Sequence, residues 1–219
     1  MANFMASAGF LFFLVLSLYG WGFFVLRKLL PNNSFGWAYH ATFGMAFWIF
    51  LGGILNFLAI AKPQALWSIM LFGLILSLFY LYKPTAKFLS QALCTLKATS
   101  FSKLQVNPNF LGYCILYFGI SALIIFYICT IMPTDVFTPS DDFWTYLARP
   151  LQMLGGGSLE NGSIFTAMPI DSLGGQAYMQ AFFYVVLGYE HIFGFDVILC
   201  FFLSIFMVIE LSKKLNIPL

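Results

Sequence analysis

The sequence predicts an all-α fold: a polytopic integral membrane helical bundle of about five spans, with two membrane-surface helices in one outer loop. Three observations lead there. Hydrophobic residues make up 61% of the 219-residue chain and charged residues only 8%, too few charges to cover a water-soluble domain. The apolar residues gather into runs of the roughly 20 residues a helix needs to cross a bilayer. The charges are also segregated, so the net charge of +2 conceals several basic connections and one acidic stretch.

The first span is expected at 8–26. No positive charge precedes it, and its apolar run continues to Val25, too long for the core of a cleaved signal. Arg27 and Lys28 follow, and Pro31-Asn32-Asn33-Ser34 forms a turn cluster before the second span at 37–60. In that span His40 reads as an interfacial histidine, Asn56 as a helix–helix hydrogen-bonding residue, and Gly52-Gly53 as a point of close helix approach. Ala61-Lys62-Pro63-Gln64 turns the chain into a third span at 65–82.

A loop is expected at 83–108, carrying Lys83, Lys87, Lys97 and Lys103. Its lysines either meet anionic headgroups or serve only to fix topology. The fourth span is expected at 109–132 and the fifth at 192–211, followed by Lys213 and Lys214. With the N-terminus outside, eight basic residues face the cytoplasm and only Lys62 and Arg149 lie outside, as the positive-inside bias requires. The expected setting is an inner or plasma membrane, with the C-terminus cytoplasmic.

Other classes are excluded. No Gly-rich phosphate loop follows a strand, and no basic stripe is interleaved with aromatics, which argues against nucleotide-binding folds and nucleic-acid partners. Cys114, Cys129 and Cys200 fall in apolar runs and Cys94 in a basic loop, so neither a disulfide framework nor a metal cluster is indicated.

The outer loop, 133–191, differs from everything around it. Seven of the eight acidic residues lie between Asp135 and Asp196, with Arg149 the one basic residue among them. Ser140 is placed to cap a helix at about 141–154, whose first turn holds Asp141 and Asp142. Phe143, Tyr146, Leu147, Leu151 and Leu154 give that helix an apolar side, and Asp142, Tyr146 and Arg149 fall near one another on a different one. Such a helix lies along a membrane surface. Pro150 is expected to bend or restart it, and Gly155-Gly156-Gly157 to end it. Asn161-Gly162-Ser163 fits a glycosylation acceptor pattern. A second helix, at about 174–188, is apolar but too short to span and is placed as surface-lying or shallowly inserted. Glu190 and His191 precede the last span, and Asp196 sits near its outer end.

Adjacent carboxylates at a membrane surface can act as a general base toward an attacking hydroxyl, bind a divalent cation, or merely cap a helix. No clear third ligand accompanies Asp141 and Asp142, so a cofactor is not specified. The string from Asp141-Asp142-Phe143-Trp144 through Arg149-Pro150 to Leu154, with the later Ser172-Leu173-Gly174-Gly175-Gln176, resembles the bacterial membrane glycosyltransferases of the GT-C fold, in the protein mannosyltransferase and aminoarabinose transferase group. The likeness covers roughly 109–211. It implies that Asp141 or Asp142 activates the acceptor and that the sugar comes from a polyprenyl-phosphate donor. Tyr146, Arg149, Glu190 and His191 are the candidate substrate-binding residues beside them. Family members place the acidic loop after the first span, whereas three spans precede it here. They are also longer, so this chain reads as the N-terminal part of such a protein. The alternative is a non-catalytic membrane subunit or assembly factor whose outer loop binds a partner. A transporter fragment is disfavoured, because the expected spans carry no central charge and no matched broken helices.

Overall fold

A computed structural model of the chain describes residues 2–31, 35–98, 112, 115, 119–120, 147–159, 174–188 and 194–215. Every regular element among them is helical, the solution a chain adopts where no water can satisfy its backbone. Helices α1 (Ala2–Leu29), α2 (Trp37–Phe57) and α3 (Pro63–Ala98) come first. Two short helices follow, α4 (Ala148–Gly156) and α5 (Gly175–Leu187), and a π-helical segment at Gly194–Cys200 runs directly into α6 (Phe201–Lys214). Four stretches among the described residues are long and apolar enough to cross a membrane: Ser7–Leu29, Trp37–Phe57, Pro63–Tyr82 and Gly194–Lys214. They correspond to the first, second, third and fifth expected spans. The fourth, at 109–132, lies outside the described residues except for Gly112, Ile115, Gly119 and Ile120.

Helices α1 and α2 run antiparallel and cross closely at glycine. A Cβ on Gly22 would overlap the His40 carbonyl, and one on Gly44 would overlap that of Leu18. Lipid tails are as apolar as leucine, so helix association in a bilayer rests on such close packing and on interhelical hydrogen bonds. The α1–α3 contact supplies the bonds. Ser17 Oγ donates to the Met70 carbonyl at 2.9 Å, Trp21 Nε1 donates to the Ile69 carbonyl at 3.0 Å, and Ser77 Oγ donates to the Leu16 carbonyl. In each case a polar side chain inside an apolar helix finds a carbonyl on its neighbour.

The core lies where α5 meets the α1–α2–α3 unit. Phe10 presents its edge to Phe182 and to Phe183, both with ring centroids 5.2 Å away. Phe182 also meets Trp48 at 5.6 Å and Trp67 at 5.3 Å. One element differs from the sequence expectation. The backbone of α3 stays helical through Ala98 rather than opening into a loop after Tyr82. Residues 85–98 contain no glycine or further proline, and Pro84 costs that helix one hydrogen bond without ending it. Helix α5, placed by sequence as surface-lying or shallowly inserted, is buried against the bundle from Gly175 through Phe183, Gln176 apart. Small residues explain this: Gly175 lies so close to the Ile49 carbonyl that a Cβ would collide with it, and Ala177 and Ala181 are buried as well.

Candidate functional site

One end of the bundle gathers the turn between α2 and α3, α4 with its tail, α5, and the head of the last span. The turn is held from outside itself. Ala59 adopts a left-handed backbone (φ 56°), and the Ala61 N–H donates to the Gly157 carbonyl at 2.8 Å. Gly157 itself ends α4 in the left-handed region (φ 79°), with its N–H returned to the Met153 carbonyl. That is the residue a helix end in this conformation favours. Two residues on, the Leu159 N–H donates to Asn56 Oδ1 at 2.7 Å, and Gln152 Nε2 donates to the Leu159 carbonyl. Asn56 therefore joins α2 to the tail of α4.

Pro150 falls in the first turn of α4, where its missing N–H costs no intrahelical bond. Arg149 stands beside it, half-buried between the buried Ala148 and Pro150. Of the residues singled out by sequence, Asp141, Asp142, Tyr146, Glu190 and His191 lie outside the described residues, as does Asn161.

A polar group that sequence reasoning missed sits where α5 meets the last span. Gln176 Nε2 donates to Asp196 Oδ1 at 3.1 Å, and Gln180 Nε2 donates to Asp196 Oδ2 at 3.0 Å. The two glutamines are four residues apart, so one helix face offers both amides to one carboxylate. That spacing, in an otherwise apolar helix followed by an acid in an apolar run, was the available signal. Gln180 is only 3% exposed, and a buried amide of this kind needs its partner. The π-helical winding at Gly194–Cys200 shifts the register of the span's first residues, a feature frequent at functional sites.

Tyr178 is fully buried beside Gly52, and its hydroxyl, like the indole N–H of Trp48, has no hydrogen-bond partner among the described residues. Burial pushes the Tyr178 phenol up from its ordinary value, so it stays neutral. Among the described residues no three His, Cys, Asp or Glu side chains gather. The arrangement can therefore present a carboxylate fixed by two amides, a nearby helix carrying Arg149, and a stiff floor of aromatic rings. Comparison with family models, curated proteins and solved structures finds no match to this chain.

Proposed function

We propose that this chain belongs to a membrane glycosyltransferase that moves a sugar from a polyprenyl-phosphate donor to an acceptor on the extracytoplasmic face. One observation carries the reading: both helices of the acidic loop, α4 and α5, pack at the end of the bundle away from Arg27, Lys28, Lys213 and Lys214. Basic residues mark the cytoplasmic side, so the loop helices belong outside. Asp142 precedes the described start of α4 by six residues, and α4 is pinned by Asn56 and Ala61. A rigid element next to the acidic pair is what positioning a catalytic group requires.

In this reading Asp141 or Asp142 takes the proton of an acceptor hydroxyl as the oxygen attacks the sugar's anomeric carbon. The polyprenyl phosphate leaves with the bonding electron pair. Arg149 meets the donor phosphate, and the lipid tail lies against apolar helix faces. The test is to change Asp141 and Asp142 singly to Asn in the native gene and compare cell-surface glycans. Loss of a glycan in at least one variant, with normal protein level, supports transfer. Unchanged glycans in both, at normal protein level, overturn it in favour of an outer loop that binds a partner.

A further inference from the structure

The opposite end of the bundle carries a second arrangement. Arg27 and Lys28, at the end of α1, and Lys213 and Lys214, at the end of α6, are all exposed. A continuous ladder of rings connects the two sets. The Arg27 guanidinium stands 5.9 Å from the Tyr80 ring, and Tyr80 lies 4.4 Å from Phe23. Phe23 stacks on His40 at 4.9 Å and 19°, His40 meets Phe35 edge-on at 6.3 Å, and the Lys214 ammonium stands 5.1 Å from the Phe35 ring. The rings come from α1, α2, α3 and the segment before α2, so four parts of the chain build one floor with a cation at each edge.

One acid, Glu210, lies beside this floor at Gly36. The Glu210 carboxylate accepts from the backbone N–H groups of Ala38 at 3.0 Å and Tyr39 at 3.4 Å, and is committed to the first turn of α2. His40 Nδ1 donates to the Gly36 carbonyl at 2.7 Å, which holds the imidazole flat in the ladder. Exposed cations thus stand beside the half-buried rings of Phe23, Phe35 and Tyr80, with His40 buried between them, at a membrane boundary.

We propose that this end is a binding site for the headgroup of an anionic phospholipid. One phosphate lies beside Arg27 at the Tyr80 edge and a second beside Lys214 at the Phe35 edge, and the first carbons of the acyl chains rest on Phe23, Phe35 and Tyr80. Charge complementarity selects an anionic lipid over a zwitterionic one, and the rings select a lipid over free phosphate. The site is independent of the sugar-transfer reading, since none of its residues lies at the loop end.

The test is native mass spectrometry of the chain in detergent, titrated with dioleoylphosphatidylglycerol or dioleoylphosphatidylcholine. The anionic lipid should bind at least about fivefold more tightly, and Arg27→Gln and Lys214→Gln should each weaken it about fivefold, the equivalent of one juxtamembrane cation. Lys62→Gln, at the far end, should leave it unchanged. All three positions are exposed, so the variants retain the fold. Equal affinity for the two lipids overturns the proposal. So does a loss in Lys62→Gln as large as in Arg27→Gln, and so does displacement of the lipid by an equal concentration of inorganic phosphate.

Discussion

At the residue scale, single atoms decide whether helices can meet. The α1–α2 crossing has no room for a Cβ at Gly22 or Gly44, because the obstacle in each case is a backbone carbonyl that cannot move aside. Gly22→Leu should therefore separate the two helices and cost about 3 kcal/mol or more, in the range of overpacked cores. Gly9→Ala should cost less than about 0.5 kcal/mol, since nothing lies within 4 Å of the position its Cβ would take. Thermal unfolding followed by circular dichroism in detergent separates the two, and a Gly22→Leu protein as stable as wild type would refute the crossing. Tyr178 makes the opposite case. Its buried hydroxyl has no partner among the described residues, so Tyr178→Phe removes an unpaid desolvation penalty rather than a bond. Stability should stay level or rise by about 1–2 kcal/mol. A loss of that size in the same assay would reveal a partner for the hydroxyl.

At the element scale, the contacts that hold α4 and α6 join residues far apart in the chain. Asn56 holds the tail of α4 across 103 positions, and Glu210 caps the start of α2 across 172. Asn56→Leu leaves the buried Leu159 N–H without its acceptor and should cost about 1–3 kcal/mol. Limited proteolysis reads it directly, through faster cleavage near Gly157 with the α1–α2 unit still resistant; unchanged cleavage would mean the α4 tail is held by other contacts. Glu210→Leu should free the first turn of α2 and cost about 1 kcal/mol, whereas Glu210→Gln keeps one acceptor oxygen and should cost less. Gly36 belongs to the same device, for a Cβ there would occupy the space of the Glu210 carboxylate. These long-range bonds were not legible in the sequence. Glu210 reads as one polar residue near a span end, and nothing local says that a helix start 172 positions earlier needs it. The four described spans were legible, because an apolar run of membrane length has one main use. The glycines that end α4 were legible too, since Gly157 takes up a left-handed backbone other residues resist. The packing of α5 was not: its length says only that it is too short to span, while Gly175, Ala177 and Ala181 let it pack closely against α2, and only a partner's shape turns small residues into a close contact.

At the scale of the whole molecule, the two ends differ in chemistry. Among the described residues, the end bearing α4, α5 and the Asp196 carboxylate has Arg149 and Lys62 as its cations, while the other end carries the exposed cations of α1 and α6. Four helices of spanning length separate them among the described residues. The positive-inside bias acts on the short flanks of each span, and here the flanks agree: Arg27-Lys28, Lys83 and Lys213-Lys214 all follow spans that leave toward the same end. Orientation can therefore be tested with three single cysteines, introduced after Cys94, Cys114, Cys129 and Cys200 are changed to Ser. Lys28→Cys and Lys214→Cys should resist a membrane-impermeant maleimide in intact cells and react after lysis, while Lys62→Cys should react in intact cells. Lys62 sits in the turn bonded to α4 through Ala61 and Gly157, so its label also reports the side on which the acidic loop helices stand. Labelling of positions 28 and 214 but not 62 in intact cells would invert the bundle and place α4 and α5 in the cytoplasm. There, no extracytoplasmic sugar transfer could use Asp141 or Asp142.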